Sequence, residues 1–374
     1  MALKVGIVGI RGIGMQHAAA HAADDLADLV AVCDVVKDRA DAAAEKYGVR
    51  AYGSLQEMLG NEDLDIVDVT TGGYENGSWH YEPAMQAIDA GKHVLVEKPL
   101  SNDVGEARQM VGFAADRGVY LGCNLNHYFT PPAEKAMEYI RQGHVGELVY
   151  CLHKMGFSAG EGVYGANRNS RWWGFPYAHF KAFLSHPFSV MRHFCGDVTH
   201  VQAFVNRPWF RRKEQDTMLS TVSIHVRFAN DCVGYLLSQR GDATYGLGGW
   251  WSLEVAGTRG TFCIENCIEK LTYWPSPDPN AAGNAERPGG GSNEPIVMNT
   301  GITDFGATFP RRIHAFLEDI TNGVPLESLR ASGRDALAAL EYTWAAMESY
   351  EEGGATVRPA PLPPLHGDPA AMLD

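Results

Sequence analysis

Short apolar runs alternate with amphipathic stretches through the first third of the chain. Val5–Val8, Leu29–Cys33, Ile66–Val69, His93–Val96 and Tyr120–Cys123 are mainly apolar, as strands buried on both faces are. Helical patterns near 13–23, 37–47, 79–90 and 104–117 separate them, and Ser54-x-x-Glu57 and Asp103-x-x-Glu106 have the form of capping boxes. Each crossover is long enough to join parallel neighbours. The pattern predicts a doubly wound parallel sheet, a Rossmann domain over residues 1–125.

From residue 126 the rhythm changes. One helix is predicted near 132–142, then β-rich runs at 148–157, 198–207, 217–228 and 231–239. These imply a second, α+β domain over residues 126–374 with an open, mostly antiparallel sheet. Residues 275–295 are dense in Pro, Gly, Asn and Ser and read as a surface loop. A helix pair near 310–322 and 332–352 precedes a Pro-rich tail over 357–374, and no internal repeat is visible.

A chain of 374 residues exceeds the size at which one core stops growing, in keeping with two domains. The balance of 45 acidic against 31 basic side chains, formally −14, repels phosphate backbones and anionic lipid, which argues against nucleic-acid and membrane partners. No apolar run approaches the roughly 18 residues of a membrane span, and Met1-Ala2-Leu3-Lys4 leads straight into a strand without a signal-peptide core, so a cytoplasmic location is expected. Seven cysteines, at 33, 123, 151, 195, 232, 263 and 267, form no CxxC pair and read as reduced thiols, mostly buried.

The first strand runs into Gly9-Ile10-Arg11-Gly12-Ile13-Gly14 and then an Ala-rich helix, which places backbone N–H groups where a pyrophosphate can sit. The usual G-x-G-x-x-G would carry glycine at position 11, where this chain has Arg11. Asp34 ends the second strand, where a carboxylate accepts hydrogen bonds from an adenosine ribose. Because Val35 and Val36 follow it and no arginine is offered for a 2′-phosphate, NAD is expected over NADP.

The fourth crossover delivers Glu97-Lys98-Pro99 to the C-terminal mouth of a strand, where doubly wound folds bind ligands. Here the sequence closely resembles the glucose-fructose oxidoreductase, inositol dehydrogenase and MocA family, whose most recognisable signature is this Glu-Lys-Pro. Thr70-Thr71 with His80 resembles the family's cofactor segment, Asn126 to Pro131 its Asn-x-x-Phe-x-Pro, and Ser332 to Tyr350 its closing helix. The resemblance implies that Lys98 lies beside the nicotinamide and the reacting carbinol, and that its proline is cis. An ammonium losing solvation in such a site has a lowered pKa and can exchange a proton near neutrality. It also implies a dimer or tetramer formed through the exposed face of the second sheet.

The family's helical Asp-x-x-x-His, often followed by a further Asp, falls in this register on Ala182, His186 and Ser189, so only the histidine is kept. Pro187 suits a first helical turn, which puts His186 at a helix N-terminus where the dipole favours a neutral, proton-accepting ring. Lys181, His179 or Tyr177 is expected to orient it in place of the aspartate. His179, His186, His193 and His200 recur every seven residues, but seven helical residues span roughly 10 Å whereas two imidazoles on one zinc lie within about 4 Å, so no metal is expected. Arg171, Trp172 and Trp173 form a candidate substrate loop, with Arg240 beyond the strand Tyr235 to Gln239, and Asn126 and His127 also reach the candidate cleft. Lys181, Arg171 and Arg240 would suit an acidic or sulfonated sugar.

The residues and the resemblance together imply an NAD-dependent enzyme acting on a carbinol of a sugar, cyclitol or glycoside. The cofactor set is Gly9, Arg11, Gly12, Ile13, Gly14, Asp34, Thr70, Thr71, His80, Glu97, Lys98 and Asn126, and Lys98 and His186 handle the hydroxyl proton. Two alternatives stand beside it. One is a redox-neutral glycoside hydrolase that oxidises a sugar carbon transiently and then eliminates; the other is a noncatalytic NAD-binding protein.

Overall fold

Strands that are apolar on both faces can be buried only between two layers of helix, and the first sheet is built that way. The computed structural model describes residues 2–72, 79–157, 174–244, 246, 248–276 and 294–363. Strand and helix alternate as β1 (Leu3–Val8), α1 (Ile13–Ala22), β2 (Ala27–Cys33), α2 (Lys37–Tyr47), β3 (Arg50–Tyr52), α3 (Leu55–Asn61), β4 (Ile66–Val69), α4 (Tyr81–Asp89), β5 (His93–Val96), α5 (Val104–Arg117) and β6 (Leu121–Cys123). The strand order is β3-β2-β1-β4-β5-β6 with every neighbour parallel. The chain winds outward from β1 to β3 and then crosses back to β4, so a crevice opens at the carboxyl ends of β1 and β4. Val8, Val69 and Val96 lie side by side at those ends, which brings the loops after β1, β4 and β5 together.

The edge strand β3 was not foreseen, because its three residues carry no apolar alternation. The Ser54 hydroxyl accepts the Glu57 N–H at 3.2 Å, as its spacing predicts. Asp103 caps α5 through Gly105 and Glu106, but the Glu106 carboxylate turns to the Ser101 hydroxyl instead of closing a box.

The second sheet has eight strands: β7 (Leu148–Phe157), β8 (Val198–Asn206), β9 (Thr221–Phe228), β10 (Val233–Arg240), β11 (Trp251–Gly257), β12 (Gly260–Glu265), β13 (Lys270–Pro275) and β14 (Ile296–Asn299). Their order is β14-β13-β12-β11-β7-β10-β9-β8, antiparallel throughout except for β7 and β10. β11 to β14 complete a sheet of which the sequence showed only four strands. One face is buried, with Cys151, Met155, Leu236, Leu253, Val255, Phe262 and Ile264 all at 2% exposure or less. Helices α6 (Pro131–Arg141), α7 (Ala178–Phe183) and α8 (Ser185–Cys195) belong to this half of the chain.

The last helices, α9 (Thr308–Thr321) and α10 (Gly333–Glu351), tie the halves together. α9 packs on α1, and α10 lies between α5 and β8. A capping box opens α10: the Ser332 hydroxyl accepts the Asp335 N–H and Asp335 accepts the Ser332 N–H at 2.8 Å. All seven cysteines are free thiols, and six are buried. Residues 277–293 and 364–374, most of the predicted surface loop and much of the Pro-rich tail, lie outside the described residues.

Arg312 on α9 fixes this junction from inside. It is fully buried, donates to the carbonyls of Cys123 at 3.0 Å and Ala331 at 3.1 Å, and lies against Phe129 and Phe316. Arg312→Met keeps the stem but leaves two buried carbonyls without their charged donor, which costs about 2–4 kcal/mol. Urea unfolding should show this as a lowered midpoint. An unchanged midpoint would mean that the burial cost of the guanidinium cancels its bonds.

Candidate active site

The loop after β1 is shaped by close approach. A Cβ on Gly14 would stand 2.1 Å from the Gly9 carbonyl, and one on Gly9 2.7 Å from the Thr71 nitrogen, so both positions need glycine. Thr70 closes the loop from β4 by donating to the Gly9 carbonyl at 2.7 Å, while the Thr71 hydroxyl donates to the Trp79 carbonyl at 2.6 Å. Gly12 takes φ 41° at the N-cap of α1, has open space where a side chain would be, and puts no side-chain cap on the helix. Arg11 and Ile13 are exposed beside it. The substitution of arginine for the fingerprint glycine therefore leaves the loop intact, and the uncapped N-terminus fits a pyrophosphate.

Asp34 is 6% exposed and braces the same loop. One oxygen accepts the Ile10 N–H at 3.1 Å and the other the Val36 N–H at 2.8 Å, and each keeps a lone pair for a ribose hydroxyl. One expectation needs correcting: an arginine is at hand. Arg39, one turn into α2, stands 3.7 Å from Asp34, a pairing hidden in the sequence because it depends on helix phase.

At the mouth of β5, the Lys98–Pro99 peptide is cis, and His80 bonds the Pro99 carbonyl at 2.7 Å. Lys98 Nζ donates to the Ala182 carbonyl at 3.2 Å, reaching across to α7. Burial pulls the Lys98 pKa below the ordinary lysine value and Arg240 adds to this, against the opposing field of Glu97.

His186 sits in the first turn of α8 with Pro187 behind it, as its spacing predicts. Pro187 has no N–H for the Phe183 carbonyl, and α7 gives way to α8 at Leu184, which keeps a helical backbone. The expected orienting partner is corrected. Tyr177 donates to Glu351, Lys181 lies over the Trp344 ring, and His179 bonds the Ser238 hydroxyl at 3.1 Å. His186 is instead stacked on His127, with centroids 3.8 Å apart and planes 5° apart. The Trp251 indole N–H donates to His127 Nδ1 at 3.1 Å, so the neutral His127 ring carries its proton on Nε2. Burial first, then the neighbouring ring and Lys98, hold His186 well below the usual histidine range, while His127 is lowered by burial, Lys98 and His153. Both rings are therefore neutral near pH 7.

Asn126 donates to the Thr308 hydroxyl at 2.6 Å. Asn124 Oδ1, Asn126 Oδ1, His127 Nε2 and His186 Nδ1 are buried without a partner among the described residues. Such a group of unsatisfied polar atoms is what a ligand site leaves. Arg240 ends β10 beside the paired rings of Phe157 and Phe183, 4.9 and 5.8 Å from their centroids, and burial, then Arg211, lower its pKa to about 10. Lys98 and Arg240 thus lie over consecutive residues, Ala182 and Phe183. Arg171, Trp172 and Trp173 fall outside the described residues.

The sequence reading missed the floor of the site. His17 on α1 bonds Asp68 at 2.8 Å and Glu97 at 3.0 Å, and His21 bonds the same Asp68 oxygen at 2.8 Å. Asn124 donates to Glu97 as well. Burial alone would strip His17 of its proton, but the two carboxylates outweigh it and push the pKa up to about 10. Burial would raise Asp68 and Glu97, and His17 holds both below the carboxylate range. The available signal was Asp68, a charged residue inside an otherwise apolar strand.

Two family models match the chain. One described as an oxidoreductase family with an NAD-binding Rossmann fold covers residues 3–125, and a GFO/IDH/MocA C-terminal domain covers residues 133–263. D-glucoside 3-dehydrogenase of Escherichia coli is 32% identical over 39% of this chain and 41% of its own length. For inositol 2-dehydrogenase of Salmonella typhimurium the identity is 34%, over 30% of this chain and 33% of its own. The chain therefore spans well under half the length of these curated relatives. Among solved structures, levoglucosan dehydrogenase in complex with NADH and levoglucosan shares the fold at TM-score 0.78 and 21% identity, covering 96% of this chain and all of that one. An NAD-binding oxidoreductase from Klebsiella pneumoniae does so at TM-score 0.81 and 23% identity, covering 96% and 99%. With both family models matched in order along it, the chain belongs to the GFO/IDH/MocA oxidoreductase family, and its first sheet is an NAD-binding Rossmann domain.

Proposed function

We propose that this protein oxidises a carbinol of a sugar, cyclitol or glycoside, with Lys98 and His186 handling the hydroxyl proton. The observation that carries the reading is the meeting of Lys98, anchored on Ala182, with the neutral His127–His186 stack beside unsatisfied polar atoms. Gly9, Gly12, Gly14, Asp34 and Thr70 would hold NAD, which when bound supplies the acceptor for the hydrogen and electron pair leaving the carbinol carbon.

The remaining work falls to side chains of this chain. Lys98, its charged form disfavoured by burial, takes the hydroxyl proton at Nζ. His186 offers a second neutral base. Stacking two imidazoles this closely lets at most one be protonated, since two cations face to face in a dry site repel strongly. His127 Nε2–H donates to a substrate oxygen and orients it. Arg240, over the same helical turn as Lys98, would bind an anionic substituent such as a carboxylate or sulfonate. The outer face of the second sheet, where Leu152, Val233 and Val297 are exposed, would pair two copies of the chain.

Against a panel of hexoses, hexuronates, inositols and methyl glycosides, Lys98→Met should lose about two to four orders of magnitude in turnover, and His186→Ala most of it. Both should keep NAD affinity within about threefold of wild type by fluorescence titration. Full turnover in the folded methionine variant would move the proton step elsewhere, and sugar release without reduced nicotinamide would indicate transient oxidation and elimination instead.

A hexuronate should exceed its matched hexose in kcat/KM by about tenfold or more, and Arg240→Gln should abolish that preference. Equal rates on the two substrates would remove the anionic subsite.

Calorimetric titration should show NAD binding at least about tenfold more tightly than NADP, roughly 1.4 kcal/mol. Asp34→Ala should narrow the gap by leaving Arg39 alone beside the ribose, and equal wild-type affinities would remove the assigned role of Asp34.

A further inference from the structure

Helix α1 does more than present its N-terminus to a pyrophosphate, because it carries His17 into the floor beneath Lys98. The ring is 0% exposed, and each of its nitrogens faces a carboxylate oxygen. Ionised carboxylates only accept hydrogen bonds, so a ring bonded to both must donate from both nitrogens and is an imidazolium. Glu97 Oε1 receives His17 and Asn124, and Oε2 receives the Lys98 N–H at 3.1 Å. A bonded path therefore runs from His17 through Glu97, 80 positions away in sequence, to the backbone N–H of Lys98.

We propose that His17 is a positioning residue for the proton step: its bond holds Glu97 as a carboxylate turned under Lys98, and so sets both the seat and the proton affinity of the lysine. The proposal builds on the reading of Lys98 as the proton acceptor. Without the His17 charge, Asp68 keeps its bond to His21 while Glu97 loses the cation bonded to it in a dry floor, and Glu97 would take up a proton. Once neutral, it no longer favours the ammonium form of Lys98, while Arg240 continues to oppose it. The groups facing Lys98 are Glu97 beside it, Arg240 from β10, His186 from α8, His127 from the turn before α6, His80 at the start of α4, and Cys123 from β6. Those facing His17 are Asp68 from β4, Glu97, and Asn124 after β6, with His21 one turn along sharing Asp68 and Phe309 edge-on at 5.6 Å. Of these, Glu97 alone touches His17 and Lys98 together.

The test needs no substrate. Competitive labelling of the full-length protein with trace acetic anhydride, read by peptide mass spectrometry between pH 6 and 11, reports the midpoint of each lysine; exposed Lys4 serves as an internal control. His17→Gln should lower the Lys98 midpoint by about half a pH unit or more and leave Lys4 unmoved. Glu97→Gln should do the same, and the double variant should fall no further than Glu97→Gln alone. A folded His17→Gln protein with an unshifted Lys98 overturns the proposal, since a purely structural histidine would change stability without moving that midpoint. If His17→Gln does not fold, Glu97→Gln decides, and an unshifted Lys98 there overturns it equally. Turnover retained in Lys98→Met would instead strike the underlying reading of the lysine and leave the labelling result standing.

Discussion

Two carboxylates in a dry floor, Asp68 at 0% and Glu97 at 9% exposure, must be neutralised where water cannot do it, and the task falls to the imidazoles of α1, with His17 bonding both carboxylates and His21 bonding Asp68. Much of the site follows from meeting that demand. α1 must lie where His17 spans β4 and β5, and this fixes the helix whose N-terminus faces the crevice. The glycines before it must admit the backbone at close range, so the cofactor loop and the charged floor are solved by one placement. The second Glu97 oxygen then seats the Lys98 backbone, and Phe309 from α9 closes over the edge of the ring. The glycine loop, Lys98 and the C-terminal helix thus share one ion cluster.

Above that floor the chemistry changes sign. The floor is held charged by pairing, whereas His127 and His186 are held neutral by burial and by Lys98, with His153 adding to the first and His127 to the second. Pro187 leaves the Phe183 carbonyl without its helical donor. Two short helices meet at Leu184, one offering the Ala182 carbonyl to Lys98 and the other, from Ser185, carrying His186 in its first turn. The position where the family pattern would place an aspartate thus contributes a backbone oxygen, and ring stacking takes over the orientation of His186.

What the sequence revealed was whatever leaves a local trace. The parallel strands were legible because burial on both faces demands apolar runs, and the glycine loop because close approach excludes a Cβ. Lys98 was legible from its place after β5 and from the family signature. β11 to β14 left a weaker trace, with Leu253, Val255, Phe262, Ile264 and Leu271 alternating with polar partners such as Glu254 and Lys270 that face outward. The ion cluster left almost none, since the partners of His17 lie 51 and 80 residues away in sequence. His127 and His186 meet only when the second sheet is folded, and Arg39 reaches Asp34 only through helix phase. Such pairings are products of topology, and composition and spacing do not encode them singly.

Arg11 stands exposed at the tip of the glycine loop in a protein of formal charge −14. The far field of the molecule would therefore push an approaching pyrophosphate away, while the loop cation and the open end of α1 would draw it in at short range. Dissolved ions separate these two influences by distance. At physiological ionic strength the Debye length is about 8 Å, so the distant repulsion is largely erased and the local attraction largely kept. Moderate salt would then help cofactor capture, the reverse of what holds for partners steered together by opposite charge.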